Sequence, residues 1–249
     1  MSEKTESKLI YNMELLTARV AELGAAYTPP NPIAELSNLQ HLLAAVKAKR
    51  EAWQAAEAQE ETGRNTREDL LRGLLPFFGE TIVYGRSLRL DKNDLEALTS
   101  VNRVIQGRPA PSSGKRMPET GETEPPARKR SVARTSFASR ADKASEFLEL
   151  LRANPAYRPT DDKFSLATIE TNVGALHNSN TEVGRLEAST QNLRTELDDL
   201  LYLAEECLIN AAESARFYIK SRFTTRHPIW QQIKKLRFDK PNRLRKAVR

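Results

Sequence analysis

Apolar residues recur along most of this chain at alternating spacings of three and four positions, the pattern of a helix that packs against another helix. The first such run predicts a helix over about residues 3–23, and Gly24 supplies its stop signal. Its apolar positions are Leu9, Met13, Leu16, Val20 and Leu23. No stretch of any length shows the strict apolar–polar alternation of a half-buried strand, so the sequence predicts an all-α protein.

The same pattern occurs in two segments, residues 27–53 and residues 157–183. They align without a gap at an offset of 130, so that Tyr27 meets Tyr157. The aligned apolar positions are Leu36, Leu39, Leu43, Val46 and Trp53 in the first copy and Leu166, Ile169, Val173, Leu176 and Val183 in the second. Near the end of the copy the offset becomes 134, where residues 84–87 align with residues 218–221. A repeat of this length predicts a duplicated helical module.

Local signals divide the first copy into further helices. Pro32 suits the first turn of a second helix that begins at about Asn31. Thr62-Gly63 is expected to separate that helix from a third, and Pro76 is expected to kink or split the third. Asn93-Asp94 is a candidate cap for a shorter fourth helix.

The second copy is predicted to repeat this order with small changes. Residues 144–152 form a shortened first helix, which Asn154-Pro155 ends. The second and third helices either continue as one long helix or break near Asn192. His227-Pro228 then opens a last helix.

The segment between the copies has a different composition, rich in glycine, proline and charge and poor in apolar residues. Such a segment cannot bury enough apolar surface to offset the entropy lost on ordering, so it is predicted to be a disordered basic linker. The sequence therefore predicts two tandem antiparallel helical bundles related by internal duplication. Their bounds are residues 1–106 and residues 143–238, with the linker at 107–142 and a basic tail at 239–249.

Positive charge is concentrated at one end of the chain. The net charge is +6, but residues 221–249 alone carry ten basic residues against Asp239. Clustered Lys and Arg neutralise phosphates and release counterions, which gives salt-sensitive binding without sequence preference. The predicted polyanion-binding residues are Lys234, Lys235, Arg237, Lys240, Arg243, Arg245, Lys246 and Arg249, together with Arg128, Lys129 and Arg130 of the linker.

Two other interpretations of the basic end stay open. The apolar residues Ile229, Trp230, Ile233 and Leu236 beside these cations could form an amphipathic helix that lies on anionic lipid. Alternatively, the tail is solvated charge that aids solubility. Packing of the apolar face on the bundle is the reason to regard membrane binding as unlikely.

One position of the apolar seam is polar in both copies, Arg50 in the first and Asn180 in the second. A polar layer in an apolar seam can fix the register of packed helices at some cost in stability. The simpler alternative is that the seam ends there and that both side chains reach solvent.

The chain offers few residues for catalysis. None of its three histidines follows a glutamate by three positions, and no His-Glu-x-x-His, Cys-x-x-Cys or phosphate-binding loop occurs. Cys207 lies in a helical pattern and is interpreted as a small buried apolar residue. The sequence therefore predicts a non-enzymatic protein without cofactor or metal. A first segment without the layout of a signal peptide, and no long apolar run, indicate a cytoplasmic protein.

Residues 217–223, followed by Pro228-Ile229-Trp230 and a basic end, resemble the C-terminal signature of uncharacterised bacterial helical proteins. In those proteins a Phe-Gly pair precedes Ser-Pro and an aromatic residue. Here Thr224 stands in the place of the glycine and His227 in the place of the serine. The resemblance covers about 20 residues and implies a helical protein of unknown function.

Together these features predict a structural or adaptor protein that contacts a partner protein or a second copy of itself through its helices, and a polyanion through its basic tail. The alternative is a nucleic-acid-binding protein, associated with a chromosome or with RNA, in which the linker and the tail carry the main activity.

Overall fold

The computed structural model describes residues 2–108, 136–223 and 226–241, and within these ranges regular structure is entirely helical. The seven α-helices are α1 (Ser2–Leu23), α2 (Leu36–Ser87), α3 (Lys92–Ile105), α4 (Phe137–Ala153), α5 (Leu166–Asp198), α6 (Leu208–Arg222) and α7 (Pro228–Ile233). Short 3-10 helices cover Gly24–Ala26, Pro32–Ala34 and Asp162–Phe164, and a π-helical turn covers Asp199–Leu203. The all-α prediction is confirmed for the described residues, and α1 has the predicted bounds within a residue.

The second and third predicted helices of the first copy are one continuous helix, α2. The break expected at Thr62-Gly63 is therefore wrong, because Gly63 serves packing and not termination. A Cβ atom at Gly63 would lie 2.7 Å from Leu186 Cδ1 of α5, so the missing side chain allows the two helices to approach closely.

Pro76 does not split α2 either. A proline inside a helix leaves the carbonyl four residues earlier without its usual donor. Pro76 and Arg72 are both exposed, so water can reach that carbonyl oxygen. The helix thus tolerates the lost hydrogen bond at a solvent-facing position.

In the second copy the helix does break, but later than the predicted position near Asn192. Helix α5 continues through Asn192 to Asp198, and the π-helical turn and residues 204–207 then separate it from α6. The offset between the copies is 130 before this break and 134 after it, so the break accommodates four additional residues.

Helix α4 begins at Phe137, earlier than the predicted residue 144 and inside the segment assigned to the linker. The Ser136 side chain caps it by accepting a hydrogen bond from the Ser139 backbone N–H at 3.1 Å. The linker prediction was too long at this end because Ala138 and Ala141 are good helix formers and Phe137 and Ala141 pack on the core.

The chain divides into two compact units that each draw on both halves of the sequence. Unit 1 comprises Met1–Gln59 and Glu187–Arg249, and unit 2 comprises Glu60–Leu186. The boundaries between the two units fall inside α2 and inside α5. Two tandem bundles would need a turn in each of these helices, but both helices continue. The units therefore differ in composition from the predicted bundles of residues 1–106 and 143–238.

The core of unit 1 is built around the apolar seam of α1. Met13, Leu16 and Val20 are almost fully buried, together with Leu39 and Val46 of α2. Further buried members of this core are Leu197, Leu201, Tyr202, Cys207, Leu208, Ala211, Ala212, Ala215, Ile219 and Ile233. Burying each large apolar side chain contributes about 1.5–3 kcal/mol, which makes this seam the main stabilising feature of the unit.

The core of unit 2 is richer in aromatic rings. Phe78 of α2 and Phe147 of α4 are fully buried and make an edge-to-face contact with ring centroids 5.4 Å apart. Ile169 and Leu176 of α5 and Ile105 of α3 complete the same cluster.

The turn that precedes α2 and the turn that precedes α5 have the same hydrogen bonds. The Tyr27 hydroxyl donates to the Ala34 carbonyl at 2.6 Å, and the Tyr157 hydroxyl donates to the Phe164 carbonyl at 2.7 Å. Asn31 and Asp161 cap the two 3-10 helices through their side chains.

A second tyrosine closes each of these turns from another helix, and we call each arrangement a tyrosine latch. In unit 1 the Tyr218 hydroxyl accepts from the Thr28 backbone N–H at 3.2 Å. In unit 2 the Tyr84 hydroxyl accepts from the Thr160 backbone N–H at 3.1 Å. The latches fix the ends of α6 and α2 against the turns, and so determine which helix faces are left exposed.

Candidate functional site

Four of the predicted basic residues lie on the segment that follows α7. Lys234, Lys235, Arg237 and Lys240 are all exposed. Among the described residues, none of the four has an ion-pair partner, although the Lys234 ammonium donates to the Gln231 side chain. Their charge is therefore available to an external anion.

The backbone of this segment is held on unit 1. Ile233 and Phe238 are buried in its core, at 0% and 5% exposure. The Asn12 side chain donates to the Arg237 carbonyl at 2.8 Å, and the Arg216 guanidinium donates to the Lys234 carbonyl at 3.4 Å. Buried apolar residues thus alternate with exposed cations, which presents the cations from an ordered backbone.

The remaining predicted polyanion-binding residues lie outside the described residues. These are Arg243, Arg245, Lys246 and Arg249 of the tail and Arg128, Lys129 and Arg130 of the linker.

The apolar residues of α7 and the following turn do not form a free lipid-binding face. Ile233 is fully buried, and Ile229, Trp230 and Leu236 pack against the core of unit 1. Within the described ranges, no helix has both the length and the apolar character that crossing a bilayer requires.

Arg50 and Asn180 each contact the first helix of their own copy, α1 and α4 respectively. The Arg50 guanidinium donates to the Ser7 hydroxyl of α1 at 2.8 Å. The Asn180 side-chain amide donates to the Phe137 carbonyl at the start of α4 at 3.2 Å. Both side chains are half-buried, so they lie at the edge of the seam and are hydrogen-bonded there. Their role in setting helix register stays a prediction.

Arg50 also lines a polar groove of about 470 Å³ between α1 and α2. The groove carries charges of both signs, since Lys47 pairs with Glu14 at 2.5 Å across it and Glu51 lies beside Arg50. The Arg50 Nε atom is buried and has no hydrogen-bond partner within the described part of the chain. This mixed charge gives the groove no clear preference for an anion or a cation.

A buried charge cluster at the start of α1, which we call the Glu6 cluster, consists of Glu6, Arg194 and Asp198 and was not predicted. Arg194 of α5 contacts the carboxylates of Glu6, which is 1% exposed, and of Asp198, at 3.3 Å. Its guanidinium also lies over the Trp53 ring, 4.8 Å from the centroid. Burial alone would lower the pKa of Arg194, but hydrogen bonding and charge interaction with Glu6 raise it above its ordinary value. The cluster holds α1 on α5.

One contact resembles part of a catalytic arrangement. The Ser145 hydroxyl lies 2.8 Å from His177 Nε2, a distance suited to a nucleophile and its base. No carboxylate in the described part of the chain contacts His177, so the pair lacks the third group that orients the histidine in a triad. Cys207 is fully buried in the core of unit 1, as its position in the helical pattern predicts, so its thiol is shielded from solvent.

No group of three or more His, Cys, Asp or Glu side chains in residues 2–108, 136–223 and 226–241 is arranged to hold a metal ion.

A large apolar side chain is exposed beside each tyrosine latch. Val83 precedes Tyr84 and is 62% exposed, and Phe217 precedes Tyr218 and is 68% exposed. The two residues occupy equivalent positions at the offset of 134. Single exposed apolar side chains are common on protein surfaces. The recurrence at the same place in both copies is what makes these two side chains a candidate contact with another molecule.

Charged residues flank both apolar side chains in the same order. We call Glu80, Val83, Arg86 and Ser87 the α2 face, and Glu213, Phe217, Lys220 and Ser221 the α6 face. All eight residues are exposed, and each face runs from an acid through an apolar residue to a cation and a serine. Successive members lie three or four positions apart and therefore share one side of their helix.

The surroundings of the two faces differ. Glu80 pairs with Lys163 at 2.7 Å, and a groove of about 400 Å³ lies between the α2 face and Phe164. Phe164 stacks on Tyr84 with ring centroids 4.5 Å apart. The positions equivalent to Lys163 and Phe164 are Ile33 and Ala34. Glu213 and Lys220 have no ion-pair partner among the described residues, so the α6 face is the more available of the two.

No protein-family model, curated protein or solved structure matches this chain.

Proposed function

We propose that this protein is a non-enzymatic structural or adaptor protein built from a duplicated helical module, with a basic surface that binds a polyanion. Duplication is supported by the two turns before α2 and α5, which share their tyrosine hydrogen bonds and side-chain caps. It is also supported by the two tyrosine latches. Val83, Arg86 and Ser87 of the α2 face align with Phe217, Lys220 and Ser221 of the α6 face, whereas Glu80 aligns with Ser214.

The observation that carries the polyanion role is the geometry of the segment after α7. Its backbone is held by the buried residues Ile233 and Phe238 and by the hydrogen bond from Asn12. Four exposed cations project from it, and none has an ion-pair partner among the described residues. Ordered cations bind phosphate groups without the entropy cost of ordering a flexible chain at the moment of binding.

A non-enzymatic role is supported by the candidate catalytic groups themselves. Cys207 is buried away from any substrate, and the Ser145–His177 pair has no carboxylate partner in the described chain. A nucleophile needs an oriented base and access to its substrate. Among the described residues, no carboxylate orients His177, and the Cys207 thiol is shielded from solvent.

The experiment measures binding of a labelled 20-nucleotide RNA and a 20-base-pair DNA to the full chain between about 50 and about 300 mM salt. The test variant replaces Lys234, Lys235, Arg237 and Lys240 by glutamine. Each lost phosphate contact should flatten the slope of log affinity against log salt by about 0.9, so the variant should lose about three to four units of slope on DNA.

A matched control removes the same charge from unit 2. It replaces the exposed residues Arg72, Arg89, Lys92 and Arg158 by glutamine. The control should keep the slope of the wild type. If both variants lose affinity equally, net charge is responsible, and the proposed surface on unit 1 is wrong.

A tail variant with Arg243, Arg245 and Lys246 replaced by glutamine should lose about two to three units of slope.

The second candidate function is nucleic-acid binding as the main activity. It is favoured by one observation, the exposed Phe217 ring on the same unit as the basic segment. Aromatic rings stack on unpaired bases, and each stack contributes about 1–3 kcal/mol. Under this function, Phe217→Leu should weaken RNA binding at least about fivefold, whereas a general polyanion surface predicts no change.

A further inference from the structure

We propose that the protein pairs with a second copy of itself through the α6 face, with the two α6 helices antiparallel. This inference rests on the proposed structural role and names the partner in it. Its starting point is Phe217, which at 68% is the most exposed large apolar side chain among the described residues. Covering that ring in a contact removes apolar surface from water, which is the general driving force of association.

The charges of the α6 face determine the partner. Glu213 lies four residues before Phe217, and Lys220 lies three residues after it. These separations correspond to about 6 Å and about 4.5 Å along the helix axis. If two copies meet antiparallel with Phe217 at the centre, the acidic residue of each copy faces the basic residue of the other. The face is thus complementary to itself, as a two-fold symmetric interface requires.

The α2 face, which matches the α6 face at its apolar residue, its cation and its serine, supports this assignment over stacking on a nucleic acid. Val83 occupies the position of Phe217, and a valine has no ring to stack on a base. The property that both faces share is an apolar centre between an acid and a cation. That order also disfavours a purely acidic partner, because Glu213 and Glu80 would repel it.

The α2 face is a weaker version of the same surface. Val83 offers less apolar area than Phe217, and the Glu80 carboxylate already accepts the Lys163 ammonium at 2.7 Å. We therefore expect the α6 face to determine the first association step.

Sedimentation velocity of the full chain from about 10 µM to about 1 mM tests the proposal. The wild type should form dimers with increasing concentration. Phe217→Asp should raise the dimer dissociation constant at least about 30-fold, as the loss of a central aromatic contact does. Tyr11→Asp is the matched control, since Tyr11 is also on unit 1 and 57% exposed but lies on α1. It should leave the dissociation constant unchanged.

Charge reversal identifies the partner as a second copy. Lys220→Glu and Glu213→Lys should each raise the dissociation constant about tenfold, because like charges then face each other twice. An equimolar mixture of the two variants should associate as well as the wild type, since each supplies the charges that the other lacks. Circular dichroism of each variant should match the wild type, because the altered side chains are exposed.

The outcomes separate this inference from the proposed polyanion role. A wild type that stays monomeric at every concentration overturns the self-pairing, and so does a mixture that does not recover association. RNA and DNA binding at the basic segment is measured on the same samples. Loss of that binding in the variant at Lys234, Lys235, Arg237 and Lys240, with dimerisation unchanged, leaves the self-pairing standing as an independent result.

Discussion

Helix α2 and the α5–α6 segment have aligned sequences but differ in their helix boundaries. Helix α2 continues from Leu36 to Ser87, whereas the aligned segment ends one helix at Asp198 and begins another at Leu208. Buried residues at aligned positions also differ in size. Phe78 of unit 2 aligns with Ala212 of unit 1, and both are fully buried. The same pattern of apolar positions thus supports two cores that differ in how they fill their space.

The largest expected effect comes from exchanging these two residues. Phe78→Ala gives unit 2 the residue of unit 1 but leaves a cavity, and should lower the free energy of unfolding by about 3–5 kcal/mol. Ala212→Phe should cost about 1–3 kcal/mol or more, because Ala212 is fully buried in the core of unit 1 and a ring there must displace its neighbours.

The positions of the tryptophans allow the two units to be followed separately. Trp53 and Trp230, the two tryptophans of the chain, both lie in unit 1. In urea titrations, Phe78→Ala should shift the circular dichroism transition more than the fluorescence transition. Ala212→Phe should shift the fluorescence transition at least as much. The opposite result for both variants would mean that the units do not have separate cores.

The next effect concerns two aligned arginines, Arg194 and Arg64. Arg194 neutralises the buried Glu6 carboxylate, whereas Arg64 pairs with Glu60 at 2.6 Å with its own side chain 53% exposed. Arg194→Gln leaves a buried charge without its cation and should cost about 3 kcal/mol. Arg64→Gln should cost less than about 1 kcal/mol. Denaturant unfolding of both variants measures the difference, and equal costs would contradict the structural role of the Glu6 cluster.

A smaller effect tests why α2 continues through Gly63. Gly184 of α5 is a matched control, because a Cβ atom there would meet nothing within 4 Å. Gly184→Ala should stabilise the protein by about 0.5–1 kcal/mol through helix propensity. Gly63→Ala should gain about 1 kcal/mol less stability than Gly184→Ala, since Leu186 must move to admit the methyl group. Thermal unfolding should therefore rank Gly184→Ala above Gly63→Ala, and the reverse order would show that Gly63 has no packing role.

The smallest effect is the response of the two turns to alkaline pH. Burial raises the pKa of Tyr157 to about 12, and it raises the pKa of Tyr27 further, from an ordinary value of 10.0. In the unfolded chain these tyrosines lose their protons at a lower pH than in the folded chain. The free energy of unfolding should therefore fall as pH rises through 10 towards 12. Tyr27→Phe and Tyr157→Phe should each flatten this fall, measured by urea unfolding at pH 8 and pH 11 (two values that bracket the ordinary pKa of about 10). A fall of equal size in the double variant would assign it to other groups.

The local turns and seams could be predicted from the sequence, because short-range signals determine them. The seam of α1 and the opening of α7 at His227-Pro228 both depend on neighbouring residues. The cap predicted at Asn93-Asp94 is wrong, because α3 begins at Lys92 and the Asp91 side chain caps it by accepting from the Asn93 backbone N–H. The composition of the units could not be predicted in the same way. It depends on α2 continuing past Gly63 and Pro76, and that outcome is decided by a contact with Leu186 far away in the chain.

Of the candidate site, the exposed cations after α7 follow from sequence, because lysine and arginine seldom lie buried. The exposure of Phe217 could not be predicted, since an aromatic residue inside a helical pattern ordinarily belongs to the core. Only the latch geometry shows that Tyr218 faces the turn at Thr28 while the residue before it faces solvent. The Glu6 cluster could not be predicted either, because Arg194 and Asp198 follow Glu6 by 188 and 192 positions in the chain.

The break between α5 and α6 has a consequence for how the chain tolerates changes in length. Four residues added inside a continuous helix would turn every later side chain by about 40° and move it about 6 Å along the axis. The additional residues lie in the segment around Glu205 and Glu206. The buried positions of α6 therefore still correspond in sequence to those of α2. Residues 204–206 are exposed and stand outside the helices, so a short tag inserted there should leave the fold intact. A four-residue insertion between Arg72 and Gly73 of α2 would instead move Phe78 about 6 Å along the helix and away from its core partners.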